Sequence, residues 1–158
     1  PDTDVICLSY DTYGRAGYRS AARRLLGPLE SMLEPYDQVY FIGHSMGGDV
    51  ISVLVTEYGL KPDKIVRIGT PPTPFKHLPN IFSGVLGDYS KVCELPDLPV
   101  LSIYGSLDLL GNPRSPLFYP PGSLKANVVS EEIPRHGHLS ILWSTRAAAE
   151  IYAFCTYT

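Results

Sequence analysis

Apolar residues along this chain fall alternately into short runs and into helical stripes. Asp4–Tyr10 (DVICLSY) is a nearly continuous apolar run, the pattern of a strand covered on both faces. Ser20 is placed to cap a helix reaching Glu34, with Leu25, Leu26, Leu29, Met32 and Leu33 on one face and Pro28 as a kink or break. Gln38–Ile42 reads as a second strand. Ser45–Tyr58 reads as a helix closed by Gly59, and its Val and Ile content marks it as buried. Lys64–Ile68, Val100–Tyr104 and Asn127–Ile133 are three further strands. Ser140–Cys155 is the closing helix, with Leu142, Ile151 and Tyr152 turned to the core. This alternation predicts an α/β fold: a mostly parallel sheet of about five strands with helices on both faces, a three-layer sandwich.

No internal repeat and no long linker divides the chain, so residues 1–158 read as a single domain. Two segments interrupt the rhythm. Residues 70–98 carry five prolines together with Phe75, Leu78, Ile81, Phe82, Val85 and Leu86. A connection of that length in a small domain is usually functional, and it predicts an apolar, lid-like insertion at the carboxyl edge of the sheet. Residues 110–124 form a second proline-rich excursion at the same edge.

Composition narrows the classes. A net charge of −3 gives no electrostatic reason to expect nucleic acid. No apolar run reaches the ~20 residues that span a bilayer. The four histidines form no metal-ligand spacing, so neither a metal nor a cofactor is expected. Cys7, Cys93 and Cys155 contain no close-spaced pair. Cys7 reads as a buried small hydrophobe, and this usage slightly favours a reducing, cytoplasmic compartment.

The chemistry lies at strand ends. Gly43-His44-Ser45-Met46-Gly47-Gly48 follows the apolar run Val39–Ile42 and precedes a helix, which is the form of a nucleophile elbow. Ligands of open parallel sheets sit beyond the carboxyl ends of the strands. Asp108 follows the fourth strand and His138 the fifth, giving the chain order Ser…Asp…His. A serine hydroxyl needs an imidazole to take its proton, and the imidazole needs a carboxylate to fix its tautomer. Asp88 and Asp97 are competing acids, but neither directly follows a strand. His136 competes as base, and Gly137 gives the loop freedom before His138. His44 is expected to pack beneath the turn rather than act as base, and His77 carries no clear role.

These pieces resemble the α/β-hydrolases, closest to the small lipases and esterases of that fold. The resemblance runs from Val5 to Ser144 through Tyr10–Gly17, Phe41–Gly48, Ile103–Asp108 and Gly137–Leu142. It implies Ser45 as nucleophile, Asp108 as acid, His138 as base and the Met46 N–H as oxyanion donor. It also implies a strand ending in a His-Gly loop before the first matched segment, and none stands upstream of Pro1. Three arrangements are open. An upstream segment or a second chain completes the sheet. Alternatively, Asp4–Tyr10 pairs directly with the nucleophile strand, and an N–H of Asp11, Thr12 or Tyr13 joins that of Met46. In the third, the hole lacks a donor, which costs about 10²–10³ in rate.

The expected activity is hydrolysis of a small-molecule carboxylic ester through an acyl-enzyme. His44, Phe75, Phe82 and Leu109 are the candidate substrate-lining residues, and the apolar insertion favours an apolar acyl part. Thioesterases and acyltransferases would use the same three residues. The alternative is a catalytically impaired descendant that binds an apolar ligand or a partner protein. A nucleotide-binding reading fails because no G-x-G-x-x-G and no phosphate-loop lysine are present.

Overall fold

The computed structural model describes residues 3–10, 17–71, 97–115 and 127–157. In chain order these form α1 (Tyr18–Leu33), β1 (Tyr40–His44), α2 (Met46–Thr56), β2 (Lys64–Ile68), β3 (Val100–Gly105), β4 (Val128–Ile133), a 3-10 turn (Ser140–Trp143) and α3 (Thr145–Thr156). The four strands are parallel and lie in the order β1-β2-β3-β4. All four therefore present their carboxyl ends, and the loops after them, at one edge.

Side-chain alternation along the strands builds two cores. Phe41, Ile65 and Val100 point to one face and meet Ile51 of α2. On that side α1 packs on α2 through Tyr18, Ala21, Ala22 and Leu29 against Val50, Val53 and Leu54. Val66, Ile68, Leu101, Ile103 and Ile133 point to the other face and meet Ile141 and Ala147. Helices thus cover both faces, as the sequence predicts for strands this apolar.

Several expectations are corrected. Among the described residues the sheet has four strands, not about five. Asp4–Tyr10 is not a strand: Val5 is 84% exposed, and Ile6, Leu8 and Cys7 are exposed with it. An apolar run becomes a strand only where a neighbour takes up its backbone hydrogen bonds, and β1 pairs only with β2 among the described residues. The α3 side of β1 is correspondingly open, with Ile42 53% exposed although its register partner Val66 is fully buried. Ser20 lies inside α1, whose N-cap is Gly17, and α1 runs on through Pro28 to Leu33. The closing helix is split at Ser144, whose extended backbone ends the 3-10 turn and whose hydroxyl caps α3 by accepting from the Ala147 N–H. Ile141 and Ala147 supply buried core contacts there and Ile151 packs against them as expected, while Leu142 and Tyr152 are exposed. The lid-like insertion, Cys93 and most of the second proline-rich excursion lie outside the described residues.

Candidate active site

Ser45 sits between the last residue of β1 and the first of α2 with φ 53° and ψ −125°. A side chain is rarely held in that region, and the surroundings fix it there. The Ser45 N–H donates to the Ile68 carbonyl at 2.8 Å, and its own carbonyl accepts from the Gly48 N–H. Strand and helix cross so closely that a Cβ on Gly43 would lie 2.6 Å from the Gly47 carbonyl carbon. Only glycine fits there. On the far side of the turn, Gly48 packs directly on the Thr70 side chain.

The loops after β3 and β4 bring the other two residues to this turn. His138 Nε2 is 2.8 Å from Ser45 Oγ, and His138 Nδ1 is 3.1 and 3.0 Å from the two Asp108 oxygens. The proton arrangement consistent with these contacts has Ser45 donating to Nε2 and Nδ1–H donating to Asp108. Asp108 is 1% exposed. Its Oδ1 also accepts from the Leu110 and Gly111 N–H groups, each at 2.9 Å. Burial by itself raises the Asp108 carboxyl. The hydrogen bonds from His138, Gly111 and Leu110 outweigh it and bring the net displacement below the usual 3.8.

The turn after β2 closes the site from behind. Gly69 has φ +56°, and a Cβ there would lie 2.9 Å from Asp108 Oδ2 and 3.3 Å from His138 Nδ1. Beneath the elbow, Asp49 of α2 and Arg67 of β2 form a buried ion pair, 2.9 Å between Oδ1 and Nη2. Neither Gly69 nor this pair emerges from the sequence reading. A glycine immediately after a strand that faces the site was the available signal for the first. For the pair there was none, because 18 positions separate the two residues.

The competing acid and base fall elsewhere, and the other described candidates adjoin Ser45 or Asp108. His136 Nδ1 turns to the Pro134 carbonyl at 2.8 Å. Asp97 precedes β3, at the opposite end of the sheet from Ser45, and is exposed. His44 directs Nε2 to the His138 carbonyl. Leu109 stands beside Asp108 and is exposed. Met46 opens α2, so its N–H belongs to the first turn, where no intrahelical acceptor exists. Asp11, Thr12, Phe75, Phe82, His77 and Asp88 lie outside the described residues. No group of three metal-ligating side chains occurs among the described residues, and no helix there is long and apolar enough to cross a membrane.

No family model and no curated protein matches the sequence. Solved structures do match in fold. An N-acyl homoserine lactonase superposes with TM-score 0.63 at 12% identity, over 91% of this chain and 73% of that one. A 2-hydroxy-6-oxo-6-phenylhexa-2,4-dienoate hydrolase from Rhodococcus gives 0.60 at 15%, over 90% and 73%. A monoacylglycerol lipase from Paleococcus ferrophilus gives 0.58 at 15%, over 93% and 78%. A further neighbour, from Thermus thermophilus, is spanned over only 61% of its length.

Proposed function

Because the chain has the α/β-hydrolase fold, we propose that it is a serine hydrolase cleaving a carboxylic ester through an acyl-enzyme. The observation that carries this reading is the unbroken line of hydrogen-bond distances from Ser45 Oγ through His138 to the buried Asp108. His138 Nε2 takes the Ser45 proton as Oγ attacks the ester carbonyl. Asp108 holds the tautomer and stabilises the imidazolium. His138 then returns the proton to the alcohol as the C–O bond breaks, leaving an acyl-serine. Water, deprotonated by the same ring, releases the acid and restores the hydroxyl.

The Met46 N–H, at the positive end of α2, is one oxyanion donor. For the second, Tyr10 supports Asp11 or Thr12. Its ring packs on the α1–α2 cluster, and its hydroxyl lies 3.2 Å from where a Gly47 Cβ would stand. A segment or second chain laid along β1 would cover Ile42. Phe75 and Phe82 are assigned, together with Leu109, as apolar substrate contacts. An ester is favoured because a lipase and a lactonase, both ester-bond hydrolases by name, stand among the structural neighbours.

A fluorophosphonate probe tests the proposal. Labelling that vanishes in Ser45→Ala and weakens in His138→Ala is expected. Folded protein that takes no label overturns catalysis and leaves the ligand-binding alternative.

A further inference from the structure

His44 makes a contact that the proposed chemistry does not yet use. It is the last residue of β1, so its backbone is held in the sheet opposite Ile68. Its ring reaches across 94 positions of sequence to place Nε2 2.8 Å from the His138 carbonyl oxygen. The two imidazoles lie against one another, centroids 4.8 Å apart and planes tilted by 43°. We propose that His44 is a positioning residue for the base, clamping the His138 backbone through an Nε2–H···O=C bond; this rests on the serine-hydrolase reading.

The loop needs such a clamp. His138 belongs to no strand or helix, and Gly137 before it adds freedom. The Gly137 N–H donates to Ser140 Oγ, and the Ile141 N–H to the Gly137 carbonyl, which holds the peptide plane entering His138. The bond from His44 fixes the peptide plane that leaves His138. Because it starts from the residue directly before Ser45, it ties base and nucleophile into one rigid unit. Displacements of about 1 Å between such groups cost about 10²-fold in rate.

The bond also defines a protonation state. A carbonyl only accepts, so Nε2 carries the hydrogen and a neutral His44 leaves Nδ1 bare. Burial pushes the His44 pKa below 6.5, and the neighbouring His138 ring acts in the same direction. The bond to the His138 carbonyl and the Asp108 charge oppose them without reversing the result. His138 and Asp108 are the ionisable groups that face it. A neutral donor suits the place, because His138 becomes cationic during acylation and a second cation at ring contact would oppose that step.

Three variants separate donor from bulk. His44→Phe keeps a ring but donates nothing. His44→Gln places an amide N–H near the position of Nε2, and His44→Asn falls short of it. With a p-nitrophenyl ester, His44→Phe and His44→Asn are expected to lose about 10- to 100-fold in kcat with KM little changed, and His44→Gln to stay within about threefold of wild type. Nitrogen-15 imidazole spectra supply a readout independent of turnover. Wild type should show His44 as the Nε2–H tautomer and a sharp His138 Nδ1–H signal, which broadens in His44→Phe and sharpens again in His44→Gln. A His44→Phe protein with wild-type kcat and an unchanged His138 signal overturns the clamp. Should wild type prove inert to ester and probe alike, the hydrolase reading fails, while the spectra still decide whether His44 holds His138.

Discussion

Asp49 and Arg67 are joined by a 2.9 Å ion pair sealed between α2, which opens at the elbow, and β2, the strand beside β1. The residues are 0% and 4% exposed, and among the described residues Asp49 Oδ2 and Arg67 Nε find no further partner. Removing one member leaves the other buried without its partner. Arg67→Met is expected to cost about 3–5 kcal/mol in urea unfolding, and Asp49→Leu/Arg67→Met to recover most of it. A double variant no more stable than Arg67→Met would show that packing, not charge, is at issue.

The same carboxylate gives a pH signature. Burial, only partly offset by Arg67, pushes the Asp49 pKa from 3.8 to about 7. The folded state therefore holds this proton more tightly than the unfolded state. The stability so gained is complete below about pH 4 and is lost as pH rises through 7. Asp49→Asn should flatten that part of the stability-against-pH curve, and an unaltered slope would refute the assignment.

Asp108 carries the opposite sign. Its folded pKa lies below 3.8, so its contribution is present above that value and disappears as pH falls through the folded pKa. Asp108→Asn should reduce the acid-side loss of stability. If the proposed mechanism holds, the same change lowers kcat by about 10⁴, since an amide no longer enforces the required tautomer. Initial rates and acid unfolding of one variant read both effects.

Gly69→Ala tests how tightly the turn after β2 fits the acid and base. The left-handed φ of +56° costs a Cβ-bearing residue about 1–2 kcal/mol, and the methyl would stand 2.9 Å from Asp108 Oδ2. A lowered melting temperature together with about 10²-fold slower probe labelling is expected. Loss of stability with an unchanged labelling rate would show that the Asp108–His138 pair does not depend on this turn.

Lys64 anchors the other face. Its Nζ donates to the Phe154 and Cys155 carbonyls at 2.8 and 3.1 Å, where the α3 dipole ends negative. Lys64→Met should cost about 1.5–3 kcal/mol and speed hydrogen exchange selectively in the last turn of α3. Uniform acceleration across the sheet would contradict that local role.

How much of this could be read from the chain depended on how local each cause was. β1 to β4 were legible because short apolar runs bounded by turn residues carry their own signal, and the elbow was legible because glycine spacing is local. Asp4–Tyr10 shows the converse. Its apolar run resembles those of Lys64–Ile68 and Val100–Tyr104, yet strand formation depends on a pairing neighbour that the run itself does not encode. The break in the closing helix was hidden for a different reason: a serine within a helical pattern is also a capping signal, and at Ser144 the cap prevailed. The order Ser45, Asp108, His138 followed from a rule about strand ends. The contacts of Gly69 with Asp108 and of His44 with His138 are meetings across the fold, and no spacing announces them.

Ser45 occupies a backbone conformation that costs about 1–3 kcal/mol to hold with a side chain present. Glycine would tolerate that geometry better, so Ser45→Gly is expected to melt higher than wild type while the reactive hydroxyl is gone. Heat resistance and turnover are thus opposed at a single position. A screen that rewarded thermal survival alone would favour discarding the nucleophile at position 45.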